Sequence, residues 1–327
     1  MHIFVTGGAG YIGSICVEQL LNSGHSVTVF DNLSEGHRAA VDPRATLIEG
    51  DLLAPDQIGH ALLSTRPDAV MHFAANALVG ESMTNPTKYF RNNVTGGVNL
   101  LEAMVKAGVL QMVFSSTCAT FGVPETVPIT ESTPRSTPQA PINPYGESKL
   151  QFEKILRWYD EIHGLRCVAL RYFNAAGASE QFGEDHRIET HLIPNVLKVA
   201  LGQKEDVSIF GTDYPTPDGT CIRDYIHILD LAQAHMLALK SPKSARYNLG
   251  TGGGTSVREI INVCEKVSGK RIAVREMPRR PGDPARLIAD STLIRQELGW
   301  TPAFQNPESI IASAWNWHVQ HPTGYGD

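Results

Sequence analysis

From His2 to Phe173 the chain keeps repeating one pattern, a short apolar, β-branched run followed by a segment of helical period. The runs are HIFVT (2–6), SVTVF (26–30), ATLIEG (45–50), AVMHFA (69–74), QMVFSS (111–116) and CVALRYF (167–173). Helical patterns cover 11–24, about 55–65, about 86–108 and 144–164. Strands that read as continuous apolar runs, rather than alternating ones, are buried on both faces, which requires helices above and below the sheet. The predicted fold class is therefore α/β, a doubly wound parallel sheet. After Asn174 the style changes to polar, Gly- and Pro-containing connections with shorter helices at about 191–201, 229–239 and 256–268. The expected organisation is a first domain over 1–173 and a smaller C-terminal lobe over 174–327. YIHILDLAQAHMLAL (225–239) marks a return of the chain to the first domain at about 224–247.

The first strand runs into Thr6-Gly-Gly-Ala-Gly-Tyr-Ile-Gly13, and the first helix opens within it. Gly8, Gly10 and Gly13 satisfy Gly-x-Gly-x-x-Gly, and Gly7, Gly10 and Gly13 satisfy Gly-x-x-Gly-x-x-Gly. Glycines there let the backbone approach a pyrophosphate, and the helix N-terminus offers it free N–H groups and positive dipole. A glycine pattern alone could be a tight strand–helix turn. Here the strand precedes, the helix follows, and Asp31 ends the second strand 18 residues after Gly13, the context that makes the motif a Rossmann dinucleotide loop. Asp31 can accept hydrogen bonds from both ribose hydroxyls and would repel a 2′-phosphate, so the expected cofactor is NAD rather than NADP. Asp51, after the third run, is a candidate adenine contact.

Asn143-Pro-Tyr-Gly-Glu-Ser-Lys-Leu150 then gains meaning. Tyr145 and Lys149 are four residues apart, on one face of a helix that Pro144 helps to start. Such pairs are common on solvated helices. Near a nicotinamide, however, an ammonium that favours the phenolate makes a base able to take a proton from an alcohol. The strand QMVFSS ends at the same cofactor edge and delivers Ser115, Ser116 and Thr117 to it. A hydroxyl, a phenol and an ammonium together form an alcohol–ketone site, with Tyr145 as base, Lys149 holding the nicotinamide ribose and Thr117 bonded to the reacting oxygen.

A net charge of −6 gives no general attraction to nucleic acid or to an acidic membrane. Cys16, Cys118, Cys167, Cys221 and Cys264 are scattered, odd in number and without a Cys-x-x-Cys pair, which fits a reducing compartment rather than a disulfide framework or zinc site. His72, His227 and His235 lie on strand or helix patterns without ligand spacing, so no metal is expected. The chain begins directly in a strand pattern and has no apolar run of membrane-span length, so a soluble cytoplasmic protein is expected.

Beyond these motifs, VTGGAGYIGS (5–14), HFAANALVGES (72–82), YGESK (145–149), LRYFNAAGA (170–178), GEDHRIETHLIP (183–194), IFGTDYPTPDGTCIRDYIHILDLA (209–232) and RRPGDPARLIAD (279–290) follow in order along the chain. Together they resemble the extended short-chain dehydrogenase/reductase family, and within it the members that invert C4 of UDP-hexoses such as UDP-glucose and UDP-galactose through a 4-keto intermediate. The resemblance implies NAD on Gly7, Gly10, Tyr11, Ile12, Gly13, Asp31, Asn32, Asp51, Leu52, Phe73, Ala74, Ala75, Asn92, Tyr145, Lys149 and Tyr172. It implies the UDP-sugar on Thr117, Asn174, His191, Leu192, Ser208, Phe210, Arg223, Tyr225, Arg280, Asp283 and Leu287, and a homodimer paired through the helix at 145–162.

The chain departs from that pattern in places. Ala77 stands where many members have lysine, which removes one cofactor contact, and His191 stands where some have asparagine near the uracil. The hydroxyl at 117 is threonine rather than serine. Sugar-nucleotide dehydratases share the fold but carry an Asp-Glu pair after the threonine, where this chain has Cys118 and Ala119. Which UDP-sugar is used, including N-acetylhexosamines and pentoses, stays open on sequence alone. A non-catalytic NAD-binding protein would usually lack the Tyr/Lys pair.

Overall fold

The structure, a computed structural model, describes residues 1–132, 139–280 and 283–326. Its first strand, β1 (His2–Thr6), leads through α1 (Tyr11–Asn22) to β2 (Ser26–Asp31), and β3 (Thr46–Glu49) leads through α2 (Pro55–Thr65) to β4 (Ala69–His72). The single turns α3 (Val79–Ser82) and α4 (Pro86–Tyr89) precede α5 (Gly97–Ala107), β5 (Gln111–Thr117), α6 (Pro144–His163) and β6 (Arg166–Tyr172). Beyond these come β7 (Asn174–Ala176), α7 (Leu192–Ala200), β8 (Val207–Phe210), β9 (Ile222–His227), α8 (Ile228–Ala238), β10 (Ala245–Leu249), β11 (Gly254–Ser256), α9 (Val257–Ser268), β12 (Val274–Met277), β13 (Arg286–Leu287), α10 (Thr292–Leu298) and α11 (Pro307–Gln320).

Seven strands form one sheet in the order β10-β6-β5-β4-β1-β2-β3, with every pairing parallel. The expected doubly wound sheet is present. Alternate residues of a strand point to opposite faces, and both faces are buried. Ile3, Val5, Val29 and Met71 pack under α1 and α8 with Ile15 and Leu231. Phe4, Phe30, Val70 and Phe114 pack under α2, α5 and α6 with Leu62, Leu101 and Phe152. Continuous apolar strands were therefore the right sign of a sheet covered twice. Winding reverses at β1, which has β2 on one side and β4 on the other, so the ligand crevice of such a sheet lies at their carboxyl ends.

Two features differ from the sequence reading. The helical pattern at 86–108 is not one helix, because α4 and α5 are separated by a π-helical stretch over Phe90–Gly96. There the Asn93 side chain accepts from Asn76 N (2.9 Å) and donates to Asn76 O and Ser148 Oγ (3.0 Å each). Gly97 lies so close to the Phe152 ring that a Cβ would come within 2.4 Å of it. A widened helical turn satisfies both contacts at once, and such turns cluster at functional sites. The second difference is at the C-terminus, where α10 and α11 were not anticipated. Ile310, Ile311, Ala314 and Trp317 of α11 are buried, and α11 packs with α7 and α9 in a third core cluster.

A second sheet centres on β9, which pairs antiparallel with β11 and parallel with β7 and β13. Strands β8 and β12 form a parallel pair of their own. Asp224 in β9 joins the two sheets. Its fully buried carboxylate accepts from Thr251 N and Oγ1 (2.8 Å each) and Gly252 N (3.0 Å), just beyond the end of β10, and from Ala289 N (3.0 Å), just beyond β13. Burial raises the carboxyl pKa, and these donors oppose the rise. Asp224→Ala strands three backbone N–H groups away from water. It is expected to lower stability by about 3 kcal/mol or more, read as a lower midpoint in urea. An unchanged midpoint would show that the loop finds other acceptors.

Candidate active site

The glycine loop sits at the winding reversal. Gly7 has φ +75°, the left-handed region, and a Cβ there would meet Ala74 N at 2.4 Å. A Cβ on Gly13 would meet Gly7 O at 2.1 Å, so helix and loop touch backbone to backbone. At Gly10, by contrast, a Cβ would have only Gly7 O within reach, at 3.6 Å. Helix α1 starts at this loop with no side-chain cap and no acid in its first turn. Its free N–H groups and dipole are thus left for an anion.

The other expected cofactor residues gather around this loop. Asp31 ends β2, and its carboxylate accepts from Ala9 N (3.0 Å) and Leu33 N (2.9 Å), which uses two of about four acceptor positions. Asn32 donates to Asp51 (3.2 Å), and Asp51 accepts from Leu53 N (2.8 Å). Next to them, Ser34, Leu53, Asn76 and Asn92 line a cavity of about 310 Å³. Leu52 is buried, and Ile12 packs against the core under α1. Phe73 and Ala74, which follow β4 with Ala75 next in chain, both donate backbone N–H to Thr6 O (2.8 and 3.1 Å). The Tyr11 hydroxyl donates to Gly177 O (2.6 Å). An uncapped helix start, a side-chain-free cradle and an acid with spare acceptors fit a dinucleotide with its pyrophosphate over Gly10 and its adenosine ribose at Asp31.

The second group is built on α6. Asn143 caps it by accepting from Gly146 N (2.8 Å), and Pro144 opens the first turn. The Tyr145 phenol stands beside Thr117 at the tip of β5. Burial pushes the phenol up to about 12, and Thr117 holds it back. Here the structure modifies the expectation from spacing. The Lys149 ammonium is buried, donates to Ser115 O (2.8 Å) and lies 4.8 Å over the Phe114 ring, while the neighbour that lowers the Tyr145 pKa is Thr117. Burial pushes Lys149 down to about 7, with the Glu153 carboxylate one turn later opposing the fall. Tyr172 in β6 meets Ser115 Oγ through its hydroxyl, and burial pushes its pKa up as well. His72 lies behind Lys149, bonded to Thr6 Oγ1 (2.7 Å) and pushed down to about 3 by burial and by Lys149. His227 and His235 are likewise buried.

Residues expected on the UDP-sugar fall into three groups. On β9, Arg223 is ion-paired with Asp283 and in register with Leu287 of β13. Leu287 packs with Cys118, the neighbour of Thr117, against Phe121, Ile129 and Phe173. The buried Tyr225 is in register with Asn174 of β7. Phe210 ends β8 two residues after Ser208, and the Arg280 guanidinium lies 3.8 Å over its ring. Leu192 opens α7 and His191 precedes it, but the His191 ring turns towards Glu184 and Glu189. Glu153, which the sequence reading did not single out, could have been suspected from its place four residues after Lys149.

The model of the NAD dependent epimerase/dehydratase family matches residues 3–250. The chain is 51% identical over 333 residues to a UDP-glucose 4-epimerase of Lacticaseibacillus casei, covering 100% of this chain and 99% of that one. It is similar to the crystal structure of the Brucella ovis UDP-glucose 4-epimerase in complex with NAD, with TM-score 0.92 and 44% identity over 97% of this chain and 98% of that one. It is also similar to that of the Bifidobacterium longum enzyme in complex with NAD+ and UDP, with TM-score 0.93 and 38% identity over 99% and 100%. The chain belongs to the NAD dependent epimerase/dehydratase family.

Proposed function

We infer that this protein interconverts UDP-glucose and UDP-galactose by inverting C4 of the hexose, with NAD as its cofactor. The observation that carries the reading is the placement of Tyr145 beside Thr117 at the tip of β5, with the Lys149 ammonium buried one turn behind and the dinucleotide loop across the crevice. When bound, NAD supplies hydride exchange at C4, so that a ketone forms and is reduced from its other face without net redox change. Tyr145 takes the O4 proton and returns it. Thr117 stands beside that phenol and can bond the same oxygen. Lys149 is a charge held near neutrality, able to leave Ser115 O for a ribose hydroxyl. Arg223 and Arg280 are guanidinium forks suited to a diphosphate, and the Phe210 face suits uracil. We assign cofactor binding to 1–173 with the return at 224–247, and the UDP-sugar mainly to 174–327.

A dehydratase reading has less support. The side chain after Thr117 is Cys118, whose thiol burial pushes up to about 11, and Ala119 has no acid to offer. A cytoplasmic site of action is supported by five unpaired cysteines, and no helix among the described residues is long and apolar enough to cross a membrane. Trp158 and Ile162, four residues apart on α6, are 52% and 69% exposed. Apolar surface of this kind suits a homodimer paired through that helix.

Three measurements test the reading. Tyr145→Phe is expected to lower turnover by about 100-fold or more, while denaturing the purified variant still releases NAD rather than NADP. Near-normal turnover would move the base elsewhere, and absence of NAD would undo the cofactor assignment. Sedimentation at micromolar concentration should give a dimer that Ile162→Asp shifts towards monomer, and a monomeric parent refutes the pairing. Finally, the parent should prefer UDP-glucose and UDP-galactose yet turn over UDP-N-acetylglucosamine weakly, since pocket size discriminates by only about 1–3 kcal/mol. Leu287→Tyr is expected to abolish the weak activity and spare the main one. An N-acetyl activity equal to the parent's would show that Leu287 is not the wall of the sugar pocket.

A further inference from the structure

Between β7 and α7 the chain reads Gly183-Glu-Asp-His-Arg-Ile-Glu-Thr-His191, and four of its side chains converge. One ligand-type atom from each of Glu184, His186, Glu189 and His191 lies within 4.8 Å of all the others. Three of the separations are shorter. His186 Nε2 is 3.3 Å from Glu184 Oε1, and His191 Nδ1 is 3.0 Å from both Glu184 Oε1 and Glu189 Oε1. Metal bonds of about 2.0–2.1 Å at tetrahedral angles put donor atoms about 3.3 Å apart, so these spacings already approach those of a four-coordinate ion.

The second observation concerns polar atoms left over. The Glu189 side chain is only 4% exposed, and its Oε2 meets no donor. His186 Nε2, although close to a carboxylate, is also buried without an aligned hydrogen bond. Buried polar atoms nearly always have partners, and a spare carboxylate oxygen in a cluster that holds two imidazoles is what a bound cation satisfies.

We propose that Glu184, His186, Glu189 and His191 bind one divalent transition-metal ion, with Zn2+ best matched to two imidazoles and two carboxylates. With all four positions supplied by protein, the site is structural rather than catalytic. Its place in the fold gives it a task. The His186 ring stands edge-on to Tyr11 of the glycine loop at 6.1 Å, and Arg187 donates to Gly36 O (3.2 Å) beyond β2. His191 is the residue from which α7 starts. The ion braces the cofactor loop against the start of α7.

The test uses the NAD-loaded protein, stripped with a chelator and titrated with Zn2+ and with Co2+. The expected result is one Zn2+ per chain retained through desalting, and a Co2+ complex with the visible absorption of a four-coordinate ion. His186→Asn and Glu189→Gln should each weaken Zn2+ binding at least about tenfold, while the metal-free variants match the metal-free parent in melting temperature and NAD content. Failure of the parent to bind one Zn2+ overturns the proposal and leaves the cluster held by a proton on His191 between two carboxylates. Binding unchanged in both variants overturns it equally, as an adventitious surface site. If neither variant folds, the Co2+ spectrum of the parent decides, and a six-coordinate spectrum overturns the assignment.

Discussion

A single buried carboxylate sets the geometry of the site. Glu153 on α6 accepts from Arg171 Nε and Nη2 of β6 (2.9 and 2.5 Å) and from Ser116 Oγ of β5 (2.6 Å), and Arg246 of β10 lies 3.2 Å away. The Glu153 and Arg171 side chains are 1% and 3% exposed. Burial alone would raise the carboxyl pKa, yet Arg171 holds it below the usual range. Removing one partner of such a buried pair costs about 3–5 kcal/mol, because the other charge is left stranded. Glu153 is one turn beyond Lys149 and two beyond Tyr145, so pinning it to three adjacent strands fixes both the rotation and the height of α6. Tyr145 stands beside Thr117 because of a contact two helical turns away.

Across the crevice, precision comes from what is missing. Gly7 and Gly13 allow backbone contacts that any side chain would break, and α1 begins without an acid or a side-chain cap. The loop therefore presents backbone N–H groups alone. On the α6 side the same economy applies to charge. Lys149 is buried against a carbonyl and an aromatic face, and Glu153 is the group that opposes loss of its proton. The two sides are rigid for different reasons, close packing on one and a buried ion pair on the other.

Much of this was legible in the chain. The six expected strands formed within a residue or two of their expected bounds because continuous apolar runs fit only a doubly covered sheet. The glycine loop, Asp31 and the Tyr145–Lys149 spacing could be read because each is a local signal, complete within one turn or one strand end. The errors were non-local. The break at Phe90–Gly96 depends on Asn93 reaching Asn76 and Ser148, and on Gly97 meeting Phe152. The seventh strand, β10, joins the sheet from a segment some 75 residues beyond its partner β6.

The sequence by itself determined the fold class, the position of the glycine loop and the residue types at the tip of β5 and the start of α6. Those follow from periodicity, chain stereochemistry and short spacings, which act within an element. Only the tertiary structure decided which partner each charged group takes. It sent Lys149 to Ser115 O rather than to the phenol, gave Tyr145 to Thr117, and gathered two glutamates and two histidines of one loop around a single point. Desolvation is set by everything packed around a group, and no spacing along the chain encodes it.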